Sequence, residues 1–99
     1  MLCLLLSLII SRIEANTNNY SISGRISDER TGSPLPGASI LIKGTYLWAV
    51  SDQKGEFTIQ GIQEGKYQLE VSFLGYVPAT VPVNVNNSIK GLKIQLKEN

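Results

Sequence analysis

A chain of 99 residues, 42% hydrophobic and 17% charged, is one small domain and leaves no room for a second. Nine Lys and Arg against eight Asp and Glu leave a net charge of +1, which excludes the bulk basic field that nucleic-acid binding draws on. Histidine is absent and Cys3 is the only cysteine, so the commonest general base, the commonest metal ligand and most thiol chemistry are missing; neither an enzyme nor a resident cofactor is expected.

The run from Leu2 to Ile10, LCLLLSLII, is long enough for the apolar region of a secretory signal and too short to span a bilayer. Cleavage after Ala15, with Ile13 at the third position before the cut, starts the mature chain at Asn16. No Lys or Arg separates Met1 from Leu2, so the positive region of a signal is missing and the true start is expected upstream. A lipidated cysteine follows the apolar run, whereas Cys3 stands at its beginning, which favours cleavage over a lipid anchor. Residues 1–15 therefore read as a signal peptide, 16–19 as a short linker and 20–98 as the domain, with no membrane span in the mature chain.

From Tyr20 onward apolar residues recur with period two between Gly, Pro, Asn and Asp clusters, and no helical stripe is present. Tyr20, Ile22 and Ile26 share one face of a first strand, on which Gly24 marks a bulge or a close backbone approach. Asp28 to Gly37 is a loop, because Pro34 and Pro36 lack amide donors. Ala38, Ile40 and Ile42 carry a second strand that ends at Gly44, and Leu47 to Ser51 a short third. Asp52-Gln53-Lys54-Gly55 has the chemistry of a four-residue turn and predicts a hairpin into a strand bearing Phe57 and Ile59. After a turn at Gln63-Glu64-Gly65, Tyr67, Leu69, Val71 and Phe73 alternate with polar residues in the clearest strand of the chain.

Val81, Val83 and Val85 follow, with Pro82 marking an edge or bulged strand, and Asn86-Asn87-Ser88 turns the chain into a last strand carrying Leu92, Ile94 and Leu96. Seven short strands at this spacing predict an all-β, two-layer sandwich with sequential or Greek-key connections.

Trp48, beside Tyr46, offers a flat aromatic surface for a glycan ring, a peptide or a partner protein; the plainer alternative is packing on the sandwich edge. Asp28 with Glu29, or Asp52 with Glu56, could gather oxygens around calcium, but neither pair has the density of a calcium loop, and solvated turn carboxylates are the expectation. The edge at Val81 to Val85 could accept a strand from another protein, or Pro78 and Pro82 could guard it.

The segments ISGRISDERTGSPLPGASILIKGT, VSDQKGEFTIQGIQEGKYQLEVSFLGY and LKIQLKE together resemble the carboxypeptidase-regulatory-like domain, in the version found at the N-terminus of SusC-type TonB-dependent outer-membrane transporters of Bacteroidetes-like bacteria. The resemblance covers about Tyr20 to Glu98. It implies a Greek-key sandwich of the prealbumin-like or immunoglobulin-like kind and a noncatalytic accessory role, exported and facing the periplasm. The partners it implies are TonB-system or outer-membrane transporter components. It also makes Gly44, Asp52, Gly55, Gly65 and Gly75 structural turn positions rather than chemical ones. Trp48 departs from the family, which usually has a small residue there. The chain stops at Asn99, where a transporter continues into plug and barrel, so a fragment or a stand-alone module is expected. A secreted glycan- or peptide-binding module and a regulatory domain of a metallocarboxypeptidase are the alternatives.

Overall fold

The computed structural model describes residues 19–99; the expected signal peptide and nearly all of the linker lie outside the described residues. Seven strands are present: β1 (Tyr20–Asp28), β2 (Ser39–Ile42), β3 (Trp48–Val50), β4 (Glu56–Ile62), β5 (Gly65–Ser72), β6 (Ala79–Val85) and β7 (Ile89–Leu96). They form two sheets, one ordered β4-β1-β7 and the other β3-β2-β5-β6, so the all-β sandwich is the observed fold. No helix among the described residues is long and apolar enough to cross a membrane.

Alternation builds the core. Ile22 and Ile26 of β1, Ile40 and Ile42 of β2, Leu69 and Val71 of β5, and Ile94 and Leu96 of β7 all turn inward and are at most 3% exposed. Each such side chain contributes about 1.5–3 kcal/mol through removal from water. The polar residues between them, such as Gln68 and Glu70 on β5, stay on the solvent face.

The turn at Asp52–Gly55 forms as expected, with Gly55 N–H donating to Asp52 O at 2.9 Å, but it does not make a hairpin. β3 pairs with β2 in the larger sheet, whereas β4 pairs with β1 in the smaller one, so this turn is a corner between layers. The reason lies in pairing: β3 is three residues long and takes Ile40 and Leu41 as neighbours, while Phe57 and Ile59 follow the inward face of β1. Only β2–β3 and β5–β6 are joined as hairpins within one sheet.

The first and last strands pair in parallel, from Ile22↔Ile89 to Asp28↔Leu96. Gly24 makes this possible: a Cβ there would collide with the backbone carbonyl of Leu92. Of the two sequence readings this is the close approach; the register shift between Ile22 and Gly24 carries its extra residue on β7, between Ile89 and Leu92. Pro82 lies on an edge, as expected, and β5–β6 pairing runs through it from Gly65↔Val85 to Val71↔Ala79 without a bulge.

Candidate functional site

The exposed large apolar side chains among the described residues fall in two places, Leu74 and Val77 in the β5–β6 connection and, the larger group, Tyr46 in the β2–β3 turn with Trp48 and Val50 on β3. Thr45 sets the approach: its hydroxyl donates to Ile42 O at 2.8 Å and accepts from Leu47 N–H at 3.0 Å, closing the β2–β3 turn. Leu47 and Ala49 then point toward the core, and the alternate residues Tyr46, Trp48 and Val50 point away from it. Tyr46 is 99% exposed, Trp48 62% and Val50 51%. Trp48 opposes half-buried Leu41 across the β2 ladder, extending the apolar strip inward along the outer face. Beyond it the face becomes polar, with Glu70 next in register and an exposed Lys43–Glu70 pair at 4.0 Å, a spacing that contributes little in water. An open groove of ≈ 800 Å³ lies against the smaller sheet, lined by Arg25 of β1, Glu56 and Thr58 of β4 and Lys93 of β7, and reaches β3 only at Ala49 and Val50.

Tyr46 and Trp48 are thus brought to one face, joined by Val50, which the sequence reading left out. Period two counted outward from Tyr46 is the signal that picks up Val50.

The other named positions serve the frame. Gly44 and Gly55 adopt φ of 83° and 76°, the left-handed region that favours glycine. Around Gly44 there is open space, but a Cβ at Gly55 would strike Ile26 O and crowd Pro34. Asp52 holds that corner through one oxygen, Oδ1, which accepts from Lys54 N–H and Glu56 N–H, both at 2.9 Å. Gly65 is the first residue of β5 and pairs with Val85, while Gly75 lies in the turn between β5 and β6.

Two hydrogen-bonded groups carry more of the architecture than the sequence reading assigned them. Buried Ser51 donates its hydroxyl to Leu35 O at 2.6 Å and accepts from Ala38 N–H at 2.8 Å, fastening the Leu35–Ala38 loop to the end of β3. Asp28 ties together three parts of the chain. Its Oδ1 accepts from Arg30 and Thr31 N–H, and its Oδ2 accepts from the Tyr76 hydroxyl at 2.6 Å. The Tyr76 bond, followed by that from Thr31, lowers the Asp28 pKa below its ordinary 3.8. Donation to Asp28, with burial second, pushes the Tyr76 phenol up to about 12. Phe73 packs against the Tyr76 ring at 5.5 Å between centroids.

Asp28, Glu29, Asp52 and Glu56 do not converge: among the described residues no group of three or more His, Cys, Asp or Glu could share a metal ion. The carboxylates of Asp28 and Asp52 instead act on backbone amides of their own turns.

Comparison with known proteins follows this geometry. The sequence profile of the CarboxypepD_reg-like domain matches residues 22–99. The TonB-dependent receptor SusC of Bacteroides thetaiotaomicron is 32% identical over 83 residues, covering 84% of this chain and 8% of the receptor. The TonB-dependent receptor P3 of Formosa agariphila is 28% identical over 99 residues, covering 100% of this chain and 10% of that receptor. The chain thus spans about a tenth or less of the length of these relatives. Among solved structures, a type II cohesin–X-dockerin complex from Acetivibrio cellulolyticus superposes with a TM-score of 0.69 at 25% identity, covering 80% of this chain and 58% of the matched one.

Proposed function

Because the chain belongs to the CarboxypepD_reg-like domain family, we propose that it is a noncatalytic accessory module of a TonB-dependent outer-membrane receptor, standing on the periplasmic side and acting through protein contacts. The observation that carries this reading is the β3 surface: Trp48 and Val50 on a strand at the sheet's edge, and Tyr46 in the turn leading into it, are all exposed. Clustered aromatic and branched apolar side chains supply contact area at low entropic cost and mark association surfaces. The absence of catalysis is supported by chemistry already in use. Asp28 and Tyr76, whose pKa values are displaced, are bonded to one another and to the backbone of their loop.

The test is site-specific photo-crosslinking in bacteria that export the chain. A photoreactive side chain at position 48 is expected to form adducts with protein, whether a second copy of the chain or a receptor or TonB-system component, and the same group at exposed Gln60 on β4 is expected to form none. Equal adducts from both positions, or none from position 48, would overturn the reading.

A further inference from the structure

Four strands leave one side unpaired: β4 and β7 in the smaller sheet, β3 and β6 in the larger. Exposed edges recruit strands from other chains unless charge, proline or a bulge prevents it. β6 has Pro82 at its middle; β7 has Lys90 and Lys93, and the chain just beyond it is covered where Val77 N–H donates to Lys97 O at 2.8 Å. β4 has Glu56 and a bulge at Gly61, where φ is 77°. β3 has none of these three devices, since Tyr46 to Ser51 reads YLWAVS, without charge, proline or glycine; its only guard is its length of three residues, which limits the pairing it can offer.

The backbone of β3 is also set for pairing. Leu47 O accepts from Ile42 N–H at 3.0 Å and Ser51 N–H donates to Ala38 O at 2.9 Å, so the odd-numbered residues turn their amide groups to β2. Alternation along an antiparallel ladder then turns the N–H and C=O of Trp48 and Val50 to the open side.

We propose that this edge pairs with the same edge of a second copy of the chain, antiparallel about a two-fold axis at Ala49. The proposal rests on the reading of β3 as a protein-contact surface and names its partner. In this register Trp48 opposes Val50 of the second copy, and Val50 opposes its Trp48. Both positions with free amide groups meet, giving about four backbone hydrogen bonds and one sheet continuous through both copies. No like charges face each other, because the nearest charged residue on the strand's line, Asp52, comes opposite Tyr46.

Aromatic side chains bury about 150–250 Å² each when wholly covered, so roughly 800 Å² is the ceiling for Tyr46, Trp48 and Val50 from two copies, and edge pairing, which leaves their outer face partly open, stays below it and well short of a standard stable interface. The dimer is accordingly weak and concentration-dependent, with dissociation in the micromolar to millimolar range.

Sedimentation velocity of the protein across that range tests it, together with hydrogen exchange at the lowest and highest concentrations. A reversible monomer–dimer equilibrium is expected, with the Trp48 and Val50 amides gaining protection on association and those of the β4 and β6 edges unchanged. Val50→Lys, at a site half open to solvent, is expected to keep its thermal transition and to weaken association about tenfold or more. Monomer throughout, a dimer indifferent to Val50→Lys, or protection at another edge overturns the proposal. So does a maltoheptaose titration that quenches the single tryptophan while the chain stays monomeric, which would assign the face to sugar. Monomer with persistent photo-crosslinks from position 48 removes the second copy alone; loss of both removes the protein-contact reading as well.

Discussion

Replacing Ser51 by Ala should destabilise the domain out of proportion to the single oxygen removed. The hydroxyl is the partner of two groups, Leu35 O at 2.6 Å and Ala38 N–H at 2.8 Å, and Ser51 itself is only 5% exposed. Water has poor access to replace it, since Leu35 and Ala38 are also buried. A buried polar group left unmade costs about 1–3 kcal/mol, so two of them, with some relaxation, cost about 3 kcal/mol. At 0.05–0.15 kcal/mol per residue, the 81 residues described here have a total stability of about 4–12 kcal/mol, of which that loss is a quarter or more. For a domain of this size each kcal/mol moves the melting temperature by about 4–8 °C, which predicts a fall of about 12–24 °C. Circular dichroism melts of Ser51→Ala beside Ser72→Ala, whose serine lies on the solvent face of β5, provide the comparison. The control should shift by no more than a few degrees. A Ser51→Ala shift as small as the control's would refute the reasoning, because it would mean that the loop closes without this fastening.

Three further perturbations separate the parts of the frame. Gly55→Ala should cost far more than Gly44→Ala in urea denaturation: both adopt positive φ, a strain of about 1 kcal/mol, but only at Gly55 does the new methyl meet Ile26 O. The Asp28–Tyr76 bond should make stability depend on pH at both extremes. Asp28 has a lowered folded pKa, so its contribution is present above the ordinary carboxylate value and is lost as pH falls through the folded one; Tyr76 has a raised pKa, so its contribution is complete below about 10 and is lost as pH rises through about 12. Tyr76→Phe should flatten both limbs of a plot of melting temperature against pH, and the difference in phenolate absorbance between the two proteins should report a titration near 12. Truncation after Asn87 removes β7, the parallel neighbour of β1, and should abolish the cooperative thermal transition.

The strands were legible because their inward residues alternate, and the gaps in that reading fall where alternation is interrupted. Ile59 and Ile62 are three residues apart, so a strict period of two sends one of them to solvent, yet both are buried. Gly61 resolves the conflict: the β1–β4 register steps from Ile22↔Ile59 to Tyr20↔Ile62, with the extra residue absorbed at its positive φ. Gly91 does the same between Ile89 and Leu92 against the next stretch of β1, Ile22 to Gly24. Pairing across sheets was less accessible. The Asp52–Gly55 turn has the composition of a hairpin, and nothing within four residues states whether the next strand stays in its sheet or crosses to the other layer. That choice belongs to β1, which supplies Ile22, Ser23 and Gly24 as partners for β4 from a point more than thirty residues earlier in the chain.

The candidate site shows the same division between local and long-range information. Tyr46 and Trp48 stand out in composition alone, but their side of the strand follows from Leu47 and Ala49, which pack toward the core and leave the alternate positions outside. An aromatic at Trp48 cannot fill the interior without turning Ala49 out, because a one-residue slip exchanges the two faces of a strand. The core therefore commits Tyr46, Trp48 and Val50 to solvent together. Burying that strip of a small domain has to come from outside the fold, and the open amide groups of the same strand supply the direction in which another strand can approach.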